Sequence, residues 1–325
     1  MSLTGQPVRV AALDCGTNTF RLYVADVYPD GMQKQLCRET EIVRLGQGVD
    51  RTGEIAPESL ARALAAAQRY GAILNELQPS RVRMVATSAS RDARNASEFV
   101  AGVEAGIGVK PEVIAGEAEA ELAFSGATRG LIGRFPAPYL VVDLGGGSTE
   151  LVLGEAQAEA AYSMDVGSVR LTERRLVSDP PTPDEIALAH DDVAAMLAKA
   201  SAVVPLEKAR TIVGVAGTVT SLTAFYLGLR KYDPKLVDGT ALTVGEVQQV
   251  CADMLSMTKA ERLALGFMQP GRADIIGAGA LIWADVVAEV ARRVAEAGGQ
   301  VEAVVARESD MLEGIAAKLA ALPSK

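Results

Sequence analysis

The sequence predicts an α/β protein of two related lobes with a cleft between them, and three observations carry that expectation. Residues 11–19 read AALDCGTNT and residues 141–149 read VVDLGGGST; each is an apolar run, an aspartate, then a glycine turn with hydroxyl or amide side chains. The segments after the two turns repeat a similar order of strand-like and helix-like patterns. At 325 residues the chain also exceeds the usual single-domain size. We expect a first domain over residues 1–128 and a second over 129–325, with a closing helix at 309–322 packing back on the first lobe.

Taken in order, VRVAALDCG, TFRLYVADVY and QKQLCRETEIVRLG read as three strands joined by tight turns, the second turn marked by Pro29-Asp30-Gly31. PESLARALAAAQRYGAILNEL has apolar residues at helical spacing behind Pro57. A strand RVRMVATSAS, a helix NASEFVAGVEAGI, a short strand PEVIAG and a helix EAEAELAFSGATRGL follow, the last opening with acidic residues as the helix dipole favours. The order then restarts. PYLVVDLGGGSTELVLG and AEAAYSMDVG supply strands, SVRLTERRLV begins a helix, and PPTPDEIALAHDDVAAMLAKASAVV is a helix after a proline-marked break. TIVGVAGTVTSLTAFYLGL reads as strand, glycine turn and helix, and VEAVVARE is a last strand ahead of the closing helix SDMLEGIAAKLAALP.

Composition removes several function classes. Hydrophobic residues make up 49% of the chain and aromatics 4%, an Ala/Val/Leu-rich core without a membrane-length apolar run or a signal-peptide pattern, so a cytoplasmic protein is expected. A net charge of -9 argues against a nucleic-acid or membrane surface. Cys15, Cys37 and Cys251 are odd in number with no CxxC spacing, which reads as reduced thiols. The single histidine, His190, lies on an amphipathic helix as a surface residue, and one histidine supplies neither a His-rich metal cluster nor an HD-type phosphohydrolase site. Carboxylates, hydroxyls, arginines and an oxygen-bound cation remain. The basic residues cluster at Arg91 and Arg94, Arg129 and Arg134, Arg170, Arg174 and Arg175, and Arg230 and Lys231; taken singly, each reads as a solvated helix face.

The repeated turn suits phosphate. Gly16, Thr17 and Asn18 between two strands leave successive N–H groups pointing outward, a concavity for anionic oxygens. Gly145, Gly146 and Gly147 can do the same, because without Cβ they permit unusual φ and close approach. Asp14 and Asp143, each just ahead of its turn, would stand beside those phosphates and hold Mg²⁺ directly or through water.

DCGTNTFRL and DLGGGSTEL resemble the first and second phosphate motifs of the superfold shared by acetate and sugar kinases, heat-shock chaperones and actin, and VGVAGTVTSL resembles its third glycine motif. More narrowly, VATSASRDARN, GEAEAELAFSGA, DVGSVRLTE and RADIIGAGALI resemble the exopolyphosphatase and guanosine pentaphosphate phosphohydrolase family, Ppx/GppA, over residues 8 to about 315. The resemblance implies two actin-like (ribonuclease H-like) lobes. It implies hydrolysis of a terminal phosphoanhydride bond of polyphosphate or guanosine pentaphosphate with Mg²⁺ or Mn²⁺, and a homodimer. Phosphoryl transfer needs an in-line water and neutralised equatorial oxygens, which carboxylates beside glycine turns can serve.

Carried over residue by residue, Glu119 of GEAEA matches the family's general base, although Ala118 replaces the glutamate that usually precedes it. Glu117 and Glu121 share one helical face and Glu119 lies on another. Glu150 matches a second glutamate that orients water or metal. Asp143, Glu150 and Asp14 form the expected metal set, with Asp143 the foremost. The resemblance places Gly16, Thr17, Asn18, Thr19, Arg21, Arg91, Gly145, Gly146, Gly147, Ser148, Thr149, Gly217 and Thr218 on phosphate, with Arg91 as a charge clamp. Thr87, Ser88 and Ser90 read as structural hydroxyls. Two departures are visible: Leu312 stands where the family commonly has arginine, and Arg307 where it has serine, so no contact is carried over from that stretch. As a short, two-domain form the chain is expected to favour short-chain polyphosphate or a nucleotide. A small-molecule kinase of the same superfold and a non-catalytic nucleotide or polyphosphate sensor are the competing expectations.

Overall fold

A computed structural model describes residues 5–323; the first four and last two residues, which end the two expected domains, lie outside the described residues. The chain divides into two α/β units. The first takes the chain up to Leu122 and returns from Met311; the second runs from Ala123 to Asp310. The division therefore falls inside a helix, ahead of the 128/129 boundary expected from the sequence.

In the first unit, β1 (Val8–Cys15), β2 (Thr19–Val27) and β3 (Gln33–Ile42) form an antiparallel meander, followed by the short α1 (Val49–Thr52) and by α2 (Pro57–Leu77). Then come β4 (Arg81–Ala86), α3 (Ser88–Asp92), α4 (Ala96–Ile107), β5 (Glu112–Val113) and α5 (Gly116–Ala127). The sheet order is β3-β2-β1-β4-β5, with β4 parallel to β1. Period-2 alternation sorts β1: Ala11, Leu13 and Cys15 join the core with Ala63, Ala66, Tyr70, Phe99 and Val103 of α2 and α4.

The second unit repeats this plan. β6 (Tyr139–Leu144), β7 (Thr149–Gly154) and β8 (Ala158–Met164) make the meander. They lead into α6 (Ser168–Arg174), α7 (Pro183–Ser201), β9 (Thr211–Val215) and α8 (Ala216–Tyr226). After α9 (Pro234–Val237) and β10 (Ala241–Leu242) come α10 (Val244–Ser256), α11 (Lys259–Ala264), α12 (Pro270–Ala273), α13 (Ile276–Glu296) and β11 (Ala303–Ala306). The order β10-β11-β9-β6-β7-β8 again sets a parallel strand, β9, beside the first strand of the meander. Reciprocal Thr/Glu capping boxes start α7 at Thr182, α10 at Thr243 and α11 at Thr258.

Helix α14 (Met311–Ala321) belongs to the first unit and packs on β1, β2 and β4. The Arg38 guanidinium pairs with Glu313, whose carbonyl also accepts from Gln33 Nε2 at 3.1 Å. Arg81 Nη1 donates to the carbonyls of Leu319 at 2.6 Å and Ala320 at 3.2 Å, satisfying the open end of the helix. Cys15, Cys37 and Cys251 are free thiols. His190 is more than surface decoration: its Nδ1 lies 2.8 Å from Asp285 Oδ2, joining α7 to α13.

Candidate active site

Each glycine turn lies at the carboxyl ends of parallel strands, where open α/β sheets place their ligands. In the second unit Asp143, the last residue but one of the buried β6, stands directly opposite Glu150 on β7, which in turn stands opposite Ser163 on β8. Residues opposed across antiparallel strands point to one face of the sheet, so the three form a row. Ser163 Oγ donates to Glu150 Oε1 at 2.7 Å, and both carboxylates are buried.

The turn between β6 and β7 is closed by Gly145 N–H donating to Ser148 O at 3.0 Å. Its three glycine carbonyls all face the start of α6. Gly145 O accepts from Ser168 N–H at 3.0 Å, Gly146 O from Val169 N–H at 2.8 Å and Arg170 N–H at 3.1 Å, and Gly147 O from Arg170 Nε at 2.8 Å. A trans peptide points its N–H opposite its C=O, so the N–H groups of Gly146, Gly147 and Ser148 are turned together to the other side. Three N–H groups turned to one side give a concave arrangement, a nest, of the kind that suits an anion. The approach requires Gly167: a Cβ there would meet Gly146 C at 2.6 Å.

The first unit holds its turn differently. The segment after β3 clasps it: Thr17 O accepts from Gly46 N–H at 2.8 Å, and Asn18 O accepts from Val43 N–H at 3.0 Å and Arg44 N–H at 2.9 Å. By the same peptide geometry, the N–H groups of Asn18 and Thr19 face away from the clasp. Thr17 Oγ1 lies 2.7 Å from Ser88 Oγ, tying the turn to α3. Asp14 is paired within its own unit. Arg21, directly opposite on β2, donates from Nε at 3.0 Å and from Nη2 at 2.6 Å to Asp14 Oδ2. No group of three or more His, Cys, Asp or Glu suited to a metal occurs among the described residues.

Glu119, in the first turn of α5, is 7% exposed, whereas Glu117 and Glu121 face solvent. Arg91 Nη1 donates to Glu119 Oε2 at 2.8 Å and to the Ile114 carbonyl at 2.8 Å. Burial pushes the Glu119 carboxyl up to about 7; the Arg91 guanidinium and the Thr87 hydroxyl pull it down, and nearby Asp14 adds to the rise. Arg91, expected as a phosphate clamp, here positions this carboxylate.

The third glycine motif is not a turn. α8 starts directly after β9, and the residue with left-handed φ is Ala216, at 72°, rather than Gly217. Gly217 and Thr218 lie in the first helical turn, two and three residues beyond Val215, which pairs with Asp143. A Cβ on Gly217 would fall 2.3 Å from Arg272 Nη2, and Arg272 Nη1 donates to Ser221 Oγ at 2.8 Å.

Compared with known proteins, residues 24–307 match the Ppx/GppA phosphatase family. The chain belongs to this family. It is 48% identical to exopolyphosphatase 2 of Mycobacterium tuberculosis over 96% of this chain and 98% of that one. Among solved structures, an exopolyphosphatase-like protein superposes with TM-score 0.93 at 44% identity, covering 97% of this chain and 98% of the other. An Aquifex aeolicus Ppx/GppA member matches with TM-score 0.76 at 29% identity over 96% and 97% of the two chains. The actin-like α/β architecture is common to the group.

As a Ppx/GppA protein the chain also shows where sequence reasoning stopped. Leu312, in place of the common arginine, is fully buried, and Arg307 is buried and paired with Asp238 Oδ1 at 2.9 Å. Ser163 and Arg272, which had no expected role, carry site contacts, and so does Arg170, which reads from the sequence as a solvated helix face. Arg170 and Arg272 sat inside the recognised DVGSVRLTE and RADIIGAGALI motifs, and Ser163 just ahead of the first; position in a motif was the available signal.

Proposed function

We propose that the chain is an exopolyphosphatase, releasing terminal orthophosphate from inorganic polyphosphate with Mg²⁺ or Mn²⁺. The observation that carries this reading is Glu119, a buried carboxyl whose proton affinity is raised to about 7 while Arg91 fixes its orientation. A general base is most effective with a pKa near working pH, and this chain has no histidine near its phosphate turns to supply one.

Within each unit the N–H groups of its turn suit phosphate oxygens, in the second unit with Ser148, Thr149 and the first turn of α8. Glu119 accepts a proton from water as its oxygen bonds to the terminal phosphorus and the bridging P–O bond breaks. The shortened chain leaves on the bridging oxygen, and Glu119 returns its proton to solvent. Asp143 and Glu150 suit a hard divalent ion, since Mg²⁺ takes one or two carboxylates and completes its shell with water and phosphate oxygens. Such an ion would neutralise charge on the transferring phosphoryl group. Asp14, held by Arg21, is left out of the metal set.

The test is a substrate panel of short and long polyphosphate, guanosine pentaphosphate and a kinase acceptor set with ATP, scored for free phosphate with Mg²⁺ and with chelator. Release from polyphosphate without any acceptor is expected. Release from guanosine pentaphosphate alone would replace the substrate, acceptor dependence would make the protein a kinase, and binding without release would make it a sensor.

A further inference from the structure

The three carbonyls that shape the second phosphate turn are not held alike. Gly145 O takes the backbone and hydroxyl of Ser168, at 3.0 and 3.3 Å, and Gly146 O takes two backbone N–H groups. Gly147 O takes a side chain, Arg170 Nε, at 2.8 Å. With glycine on its N-terminal side, the Gly147–Ser148 peptide has no Cβ at residue 147 to oppose its rotation. The first two N–H groups of the nest are therefore set by the backbone of α6, and the third, on Ser148, is set by one guanidinium.

We propose that Arg170 is a positioning residue of the second phosphate turn, acting through the Gly147 carbonyl to aim the Ser148 N–H at substrate. This rests on the exopolyphosphatase reading above. An N–H that grips phosphate equally before and during the reaction contributes uniform binding, so its loss raises KM and leaves kcat in place.

The experiment compares Arg170→Gln with Arg170→Met. Glutamine Nε2 lies as many bonds from Cα as arginine Nε, so it keeps a donor for Gly147 O and removes the charge; methionine keeps the length and removes the donor. For Arg170→Met, KM for polyphosphate is expected to rise about tenfold with kcat within about twofold, the effect of one hydrogen bond of roughly 1.4 kcal/mol. Arg170→Gln is expected to stay within about twofold of wild type in both. Equal KM rises in the two variants would mean that the charge itself meets substrate, and a wild-type KM in Arg170→Met would mean that the peptide needs no such anchor; either overturns the proposal. So would a fall in kcat matched by a lower thermal midpoint, the mark of a purely structural role. Calorimetry with tripolyphosphate on a Glu119→Gln background reads the same Met-against-Gln split without turnover. Failure of wild type to release phosphate therefore sinks the functional reading while the Arg170 result still stands or falls by itself.

Discussion

The two glycine turns of this protein follow the same strand plan and differ at the residue that faces the aspartate. In the first unit Asp14 faces Arg21; in the second Asp143 faces Glu150. Opposite charges across a strand pair satisfy one another, whereas like charges at that distance repel and are destabilising unless something cationic lies between them. The first aspartate is thereby paired with an arginine, and the second belongs to the carboxylate pair that we propose holds the metal ion. One strand plan, used twice, sets an Asp–Arg pair in one unit and an Asp–Glu pair in the other, with the change made on the strand after the turn.

The largest expected effect separates the base from both aspartates. Glu119→Gln should lower phosphate release by about 10²–10⁴-fold, the usual contribution of a general base, and wild-type activity should rise with pH through about 7 as Glu119 loses its proton. Stability should run the other way. The folded-state affinity lies above the ordinary carboxyl value, so this group's contribution is full below that value and is lost as pH rises through about 7. The thermal midpoint of Glu119→Gln relative to wild type should therefore increase between pH 5 and pH 8. A difference that stays constant over that range would remove the raised affinity from the account.

Next in size is the aspartate contrast itself. Asp143→Asn should raise the Mg²⁺ concentration needed for half-maximal activity by at least about tenfold, because one of two candidate carboxylate ligands is lost. Asp14→Asn should leave that concentration unchanged. Its cost should be about 3 kcal/mol of stability, from a buried pair whose arginine is left without its counter-charge. A shared shift in Mg²⁺ requirement would erase the distinction between the turns.

How the turns are held gives a third comparison. Gly167→Ala drives a Cβ to 2.6 Å from Gly146 C, a backbone atom that anchors the nest, whereas at Gly46 the new Cβ meets Thr17 Cγ2 at 2.3 Å, a methyl that rotation can move. KM should rise more in Gly167→Ala than in Gly46→Ala, by about tenfold against a few-fold, with steady-state kinetics as the measure. The reverse order would show that the first turn is the stiffer of the two.

Much of this was legible from residues alone. Apolar runs ending in Asp-x-Gly marked the first strand of each meander, because patterning and turn chemistry act locally, whereas Glu119 was singled out through the family resemblance. Pairing across strands is not local. Nothing in DCGTNTFRL says that Arg21 will take Asp14 rather than phosphate, and Arg170 acts on a carbonyl in a turn far back along the chain. Residues 244–296 received no helices in the sequence reading, yet α10 and α13 lie there. The first half of α13, Ile276 to Trp283, is buried on every side, so the one-sided apolar stripe that marks a helix is missing.

The smallest effect concerns the third motif, where the unusual backbone falls on the wrong residue type. Ala216 holds φ at 72° at the junction of β9 and α8, a conformation that costs an L-residue about 1–2 kcal/mol and glycine almost nothing. Glycine loses more entropy on folding, by about 0.4–1 kcal/mol, so Ala216→Gly should stabilise by roughly 0.5–1 kcal/mol. In a chain of this size that is a rise of about 1–4 °C in thermal midpoint. No residue of the first two turns has a left-handed φ, so neither offers such a gain. A lower midpoint would mean that packing of the Ala216 methyl outweighs its backbone strain, and that this motif, unlike the other two, is held by its side chains.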